Sequence, residues 1–472
     1  MPDFKDKSVL EIGLGGRGQA ACGLLRRAGA NVVAIDNSNT EELREAAGRL
    51  RSDGVQVELG VSALPEKNFD LAVVSPAVSA HSPLIQALTE RKVRVIGELE
   101  LGFQHIKCLS IAISGTNGKA TTAELVERTL ANNHRKIVHA GHAGQPVCSV
   151  ADQTKDLDFF VLQVSGSQLE TTDSFAPTVA VLLNLSPEPS DRYATKADYV
   201  RATSRLFRNQ QAFDWAIVEA ESVAPLKELG LLPPSKLITF SAQDERADLY
   251  LDRGLIISRL GNWSGPLLDT AQCRLRGPHN AEDLMAAVAV GHVLRLPLDS
   301  MVDTLKTQPP GPHRCEPVAE IDGVQFINDS KATNLDALRG ALLAARAPAG
   351  GGPNIWLIAG GKDSAQEFHL VGPEISQRVK GAFLIGEARE KIRSAWSLFT
   401  PCALADSLLE AVTEAAKNAT AGDVILLSPA CSSFDQFQNY QQRGERFCQA
   451  VESISRGQQA ADPNRHGKTT TL

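Results

Sequence analysis

The stretch Ser114-Gly115-Thr116-Asn117-Gly118-Lys119-Ala120-Thr121-Thr122 could hold a phosphate. Its two glycines allow a tight loop, and Lys119 adds a point charge. An apolar run over residues 108–113 reads as a buried strand, and a helical pattern over 121–132 follows. Strand, loop and helix in that order aim backbone N–H groups and a helix N-terminus at one anion. Gly115, Thr116, Asn117, Gly118, Lys119, Ala120 and Thr121 are therefore the candidate nucleotide-phosphate residues. The full pattern places Ser or Thr after the lysine, and that hydroxyl ligates Mg²⁺. Here the position is Ala120, and a methyl group cannot ligate.

A second glycine turn lies near the start. Residues 9–12 read as a strand, Gly13-Leu14-Gly15-Gly16-Arg17-Gly18 follows, and a second strand over 31–35 ends at Asp36. A GxGxxG turn with an acid about 20 positions on is a dinucleotide fingerprint for NAD(P). It reads equally as a Rossmann-like turn holding another nucleotide, or none. Residues 71–74 and 93–96 continue the parallel pattern, with a candidate ligand loop at Ser75-Pro76-Ala77-Val78-Ser79 between them.

The elements that must position these turns are alternating strands and helices, hence an α/β fold. A chain of 472 residues suggests about three domains. The Pro-rich stretch Gln308-Pro309-Pro310-Gly311-Pro312 is the clearest linker. The expected divisions are 1–107, 108–309 and 310–456, with a polar tail over 457–472. Within the second, 159–164 and 178–185 read as strands followed by polar loops, 199–207 as a helix, and Gly277-Pro278-His279-Asn280 as a helix start. His279 is either a cap or core residue, or a ligand contact. The third holds strand patterns at 324–327, 355–358, 382–385 and 424–427. Gly467-Lys468-Thr469-Thr470 in the tail mimics a phosphate loop but has no strand before it.

Composition narrows the function. Hydrophobic residues at 43% and charged residues at 22% describe an ordinary globular chain. No run of 18 apolar residues marks a membrane span, and the first residues lack a signal-peptide core. Eight scattered cysteines with no CxxC pair argue against a zinc site or disulfide framework and favour a reducing cytoplasm. A net charge of −7 without a basic stripe argues against nucleic-acid binding.

Taken together, the motifs resemble the D-glutamate-adding branch of the Mur ligase family. Beside the phosphate loop they are Ser167-Gln168-Leu169-Glu170, Asp191-Arg192-Tyr193, His279-Asn280 and His313-Arg314-Cys315-Glu316. Two longer strings are more specific: Asn328-Asp329-Ser330-Lys331-Ala332-Thr333-Asn334, and the run from Ser428 to Phe437. The resemblance implies a monomer with three α/β domains: a Rossmann-like UDP-binding domain, a central parallel-sheet ATPase domain and a Rossmann-like amino-acid-binding domain. It implies ATP, Mg²⁺, UDP-N-acetylmuramoyl-L-alanine and D-glutamate as ligands, with an acyl phosphate formed in peptidoglycan synthesis. Lys119, Arg314 and Asp329 would be catalytic. Arg314 and Asp329 would meet ATP on domain closure, beside His279 and Asn280. Gly15, Gly16, Asp36 and His142 would meet the UDP precursor. Thr333, Ser433 and Phe434 would line the D-glutamate pocket.

Several positions depart from the family pattern. Metal-site positions fall at Ala120, Gln163, Pro189 and Thr203, the last replacing a lysine that the family carbamylates. The Asn that touches the precursor falls at His142, and the adenine-side Asn at Asp283. The Lys that meets D-glutamate falls at Ser364, with Lys362 nearby. Mg²⁺ wants oxygen ligands, preferably charged, so these positions leave Mg²⁺ binding in doubt. Compensation by Glu188 or Lys196 is one alternative. Another is a non-catalytic paralogue that binds the precursor or partner ligases. An NAD-dependent enzyme is a remote third.

Overall fold

The computed structural model describes residues 4–79, 82–186, 192–348, 350–363 and 366–461. The sequence positions Glu188, Pro189, Asp191, Ser364 and 462–472 lie outside them. The described residues form two compact units. One holds the chain through residue 268 together with Glu282–Leu305; the other holds Asp269–Ala281 and the chain from Lys306 onward.

The first unit contains two sheets. β1 (Ser8–Ile12), β2 (Asn31–Asp36), β3 (Gln56–Leu59), β4 (Leu71–Val74) and β5 (Arg94–Gly97) pair in parallel, in the order β3-β2-β1-β4-β5. The second sheet has β6 (Leu109–Ser114), β7 (Ile137–Gly141), β8 (Phe159–Gln163), β9 (Val179–Leu182), β10 (Trp215–Glu219), β11 (Lys236–Ser241), β12 (Leu249–Asp252), β13 (Leu255–Ser258) and β14 (Gly265–Asp269). Its order is β14-β13-β12-β11-β10-β9-β6-β8-β7. The second unit contains β15 (Glu316–Ile321), β16 (Val324–Asn328), β17 (Ile355–Gly360), β18 (Val379–Ile385), β19 (Cys402–Leu404) and β20 (Val424–Leu427), in the order β15-β16-β20-β17-β18-β19. Residues 107 and 309 both lie between strands.

The apolar runs become central strands because a parallel strand is buried on both faces. Ile111, Ala112 and Ile113 of β6 are fully buried, as are Phe160, Val161 and Leu162 of β8. Five helices matter below: α1 (Gly16–Arg27), α2 (Lys119–Asn132), α3 (Pro278–Val293), α4 (Leu335–Ala344) and α5 (Tyr440–Ala461). α5 runs past residue 456, the expected end of the third domain, because Gln458, Gln459, Ala460 and Ala461 suit a helix. β9 stops three residues before the expected 185. Leu183 and Asn184 leave the ladder there to hold the phosphate loop. The antiparallel extension from β12 to β13 was not expected; its short strands lack a distinctive pattern.

One core residue breaks the pattern. Glu11 lies near the end of β1, fully buried, and neither carboxylate oxygen has a hydrogen-bond partner among the described residues. Burial, then the nearby Glu98 carboxylate, pushes its pKa well above the usual value. The folded state therefore keeps a proton that the unfolded chain releases above about pH 4.5. Glu11 costs increasing stability as pH rises from there. Glu11→Leu should raise the melting temperature at pH 8 more than at pH 4, a gain on the order of 1–3 kcal/mol. Thermal unfolding at the two pH values checks this; an equal or negative shift at pH 8 contradicts it.

Candidate functional site

The phosphate loop is built on β6, between β9 and β8. Gly115 has φ +138°, and a Cβ there would lie 3.0 Å from the Asn184 amide nitrogen. Gly118 has φ +84° and precedes α2; a Cβ there would lie 2.2 Å from an Asp283 carboxylate oxygen. Both positions thus exclude a side chain. Asn184, just past β9, fastens the loop. Its Oδ1 accepts from the Asn117 amide at 2.8 Å, and its Nδ2 donates to the Asn117 carbonyl at 3.2 Å. The Thr116 amide donates to the Asn184 carbonyl at 3.2 Å. The Thr116 hydroxyl donates to the Ser186 carbonyl at 2.9 Å and meets the Tyr199 hydroxyl at 2.9 Å. Thr122 on α2 donates to buried Asp283 at 2.9 Å.

Lys119 folds back on this loop, its Nζ donating to the carbonyls of Gly115 at 2.6 Å and Thr116 at 2.8 Å. That places the ammonium at the mouth of a helix N-terminus, where an anion is favoured. Sequence reading found the loop and its lysine but not Asn184 or Tyr199 as its fasteners. The signal available was the polar run that follows an apolar strand.

The metal-site positions are poor in charge. Ala120 is buried and has no side-chain oxygen. Gln163 Oε1, Thr203 Oγ1 and Ser114 Oγ are buried without a hydrogen-bond partner among the described residues, and the Tyr193 hydroxyl lies beside Glu170. Tyr193 and Thr203 face the same point: a Cβ on Gly166 would meet their hydroxyls at 3.0 and 3.1 Å. All these donors are neutral. Among the described residues no group of three or more His, Cys, Asp or Glu side chains could hold a metal. Lys196 is exposed. These residues do not fit a protein-held Mg²⁺, which favours carboxylate oxygens.

The first glycine turn lies at the C-terminal ends of β1, β2 and β4, the ligand edge of such a sheet. Asp36 closes it, accepting from the Leu14 amide at 2.7 Å and the Ser38 amide at 2.8 Å. Gly15 and Gly16 open α1, whose N-terminus has no side-chain cap. Arg17 donates to the His142 carbonyl at 2.7 Å, and the His142 amide donates to the Gln163 carbonyl at 2.6 Å. Gly15, Gly16 and Asp36 thus share the edge of the first sheet, and Arg17, which sequence reading did not single out, links them to the His142 backbone beyond β7. Arg192 pairs with Glu170 at 2.5 Å and donates to the Pro76 carbonyl at 2.6 Å, joining two sequence motifs to the Ser75 loop.

In the second unit, Asp329 follows β16 and is buried. It accepts from the Ser428 hydroxyl at 2.8 Å and the Cys315 amide at 3.0 Å. Burial raises its pKa to about 7. His313 and Cys315, flanking Arg314, have φ +60° and +45°, a region disfavoured for side-chain residues. Such strain persists where surroundings over-determine the loop. Thr333 and Ser433 lie on the loops after β16 and β20. Ser433 is buried, whereas Phe434 is 69% exposed. The His279 ring packs on Gly340 of α4, where a Cβ would approach Nδ1 to 2.9 Å, and burial lowers its pKa to about 4. Asn280 donates to the Arg276 carbonyl at 2.6 Å.

Comparison with known proteins is consistent across the chain. Residues 113–291 match the Mur ligase middle domain, and 313–431 match the Mur ligase glutamate ligase domain. A UDP-N-acetylmuramoylalanine–D-glutamate ligase from Acidobacterium capsulatum is 38% identical over 94% of this chain and 96% of its own. The chain belongs to the Mur ligase family. A ligase of the same name from Koribacter versatilis is 34% identical over 96% of this chain and 99% of its own. Among solved structures, MurF ligase from Thermotoga maritima superposes with TM-score 0.61 at 16% identity, covering 96% of each chain. A pseudomurein peptide ligase type C from Methanothermus fervidus gives 0.60 at 16% identity, covering 95% of this chain and all of its own. These likenesses establish the Mur ligase fold: three α/β domains, the sheets being mostly parallel.

Two outcomes follow from this geometry. Asn184→Ala should weaken nucleotide binding about tenfold by freeing the Asn117 peptide, with folding retained. Calorimetry with an ATP analogue checks it; unchanged affinity contradicts the fastening role. For Asp329, the folded pKa exceeds the unfolded value of 3.8, so its contribution to stability declines as pH rises from about 4 to 7. Asp329→Asn should therefore melt higher than wild type at pH 8, with little difference at pH 4. A lower melting temperature at pH 8 contradicts that reading.

Proposed function

We propose that this Mur ligase uses ATP to join D-glutamate to UDP-N-acetylmuramoyl-L-alanine through an amide bond, in peptidoglycan synthesis. The observation that carries this reading is the match to D-glutamate ligases over 94% of the chain. ATP phosphorylates the precursor carboxylate, the D-glutamate amine attacks the acyl phosphate, and phosphate leaves. Lys119 and the amides from Gly115 to Thr121 hold the nucleotide phosphates. Lys119 leaves the carbonyls of Gly115 and Thr116 to do so. Gly15, Gly16, Asp36 and His142 bind the uridine end. Arg314 and Asp329 serve the nucleotide, beside His279 and Asn280. Thr333, Ser433 and Phe434 receive D-glutamate. Residues 1–107, 108–309 and 310–456 are the precursor, ATP and amino-acid domains. The protein works as a cytoplasmic monomer, as the family resemblance implies, and its eight cysteines are unpaired.

The neutral set at Ala120, Gln163 and Thr203 bears on rate. Phosphoryl transfer depends on neutralising crowded oxygen charge, and no Mg²⁺ ligand set is assigned to this chain. Losing a few kcal/mol of transition-state stabilisation slows a reaction about a hundredfold or more, so turnover is slow while nucleotide binding survives. The test is D-glutamate-dependent phosphate release with mass analysis of the product. Ala120→Thr, Gln163→Glu, Pro189→His and Thr203→Lys should each do little, and their combination should accelerate release most. Fast wild-type turnover with ordinary Mg²⁺ dependence contradicts the rate statement. Absence of any glutamyl product from every variant contradicts the activity.

A further inference from the structure

Arg443 is one of the largest fully buried side chains in the protein, and no sequence motif drew attention to it. It projects from α5 beneath the C-terminal ends of β16, β17 and β20. Its Nε donates to the Ser330 hydroxyl at 3.1 Å and its Nη2 to the Ser330 carbonyl at 2.8 Å. Its Nη1 donates to the Cys431 carbonyl at 3.0 Å. The same Nη1 lies 3.2 Å from where a Cβ on Gly361 would be, so the guanidinium also touches the turn after β17. Ser330 in turn donates to the Tyr440 carbonyl at 2.8 Å, fastening the loop to the start of α5.

These acceptors lie on the loops that carry the proposed D-glutamate residues. Ser330 is three residues before Thr333, and Cys431 is two before Ser433. A second bridge confirms that the two loops are held as one body: buried Gln366 donates to the carbonyls of Thr333 at 3.4 Å and Ala430 at 2.5 Å. Ala430 itself has φ +57°, a conformation that its neighbours must enforce.

Burying a guanidinium is expensive unless its donors are satisfied. Arg443 has no carboxylate within ion-pair distance among the described residues, and burial lowers its pKa to about 10. It stays charged at neutral pH. An uncharged residue would fill the space without that cost, so the fork of donors needs another explanation. A lysine could supply the charge but not three diverging N–H groups in one plane.

We propose that Arg443 is a positioning residue for the incoming amino acid, its guanidinium locking the Ser330 and Cys431 loops into the one arrangement that receives a dicarboxylic amino acid. The amino-acid part rests on the proposed D-glutamate activity; the locking part does not. Two measurements on the full chain separate them. The first is hydrogen exchange at Lys331 and Ala332, whose amides donate to His313 and Asp329 carbonyls at 3.0 and 2.9 Å. The second is calorimetric titration of D-glutamate in the presence of an ATP analogue and UDP-N-acetylmuramoyl-L-alanine. Arg443→Lys should speed exchange at both amides and weaken D-glutamate binding about tenfold or more, while the precursor's affinity stays within about twofold. A merely structural role would lower precursor affinity and melting temperature together, leaving no selective loss.

Unchanged loop exchange in Arg443→Lys overturns the lock. Faster exchange with unchanged D-glutamate affinity overturns the positioning role. If wild type binds no D-glutamate while the variant's loops exchange faster, the proposed activity fails and the lock stands. Should Arg443→Lys fail to unfold cooperatively, Ser330→Ala decides instead. It removes one acceptor of Nε, so faster loop exchange and about a threefold loss of D-glutamate affinity are expected. No change in either measurement overturns the proposal.

Discussion

The two hydrogen bonds exchanged between the Asn184 side chain and the Asn117 peptide hold the phosphate loop to the strand beside it. A loop bounded by two glycines has many conformations, and an anion site needs one. Asn184 selects it at the end of β9, which lies next to β6 in the sheet. The apolar interior of that sheet keeps the two strand ends together, and the glycines let the backbones approach. Thr116, Tyr199, Thr122 and Asp283 tie the rest of the cradle to neighbouring elements. Lys119 adds its ammonium to that cradle through the carbonyls of Gly115 and Thr116.

Electrostatics divides the protein unevenly. The phosphate loop keeps its lysine and its amides, while the described positions that the family resemblance gives to a divalent ion carry a methyl group at Ala120, an amide at Gln163 and a hydroxyl at Thr203. Ionisable side chains persist in places where burying them costs stability. Glu11 is buried with no hydrogen-bond partner among the described residues, and Asp329 is buried with two hydrogen bonds. The Glu11 side chain has no assigned ligand, and the structure offers no physical account of its retention. Asp329 sits among strained loops at strand ends, where ligands bind in α/β sheets. Arg443 lies in the same region and is satisfied by carbonyl and hydroxyl oxygens alone.

The legible parts of the fold were those with strong local signals. Residues 71–74 and 424–427 read as strands and are strands because a run of buried branched residues has few other uses. The phosphate loop was legible because Gly, Gly and Lys at that spacing impose a backbone shape. Asn184 was not, since its role depends on β9 lying beside β6, a pairing of residues as far apart in sequence as Ile111 and Val179. Arg443 was hidden for the same reason: a buried arginine on a long helix looks like any surface arginine until its acceptors, more than a hundred residues away at Ser330, are in place. The edge strands from β12 to β14 escaped because short, half-buried strands carry little periodicity.

The proposed grip on nucleotide phosphate rests on loop amides and Lys119, with no cluster of metal-binding side chains among the described residues. The most direct measurement is the affinity for an ATP analogue by calorimetry, at fixed ionic strength, in excess Mg²⁺ and in excess chelator, for wild type and Lys119→Met. Wild-type binding should survive chelation with affinity changed by less than about tenfold, with a larger loss in Lys119→Met under both conditions. Binding abolished by the chelator and restored by Mg²⁺, with Lys119→Met indistinguishable from wild type, would contradict it.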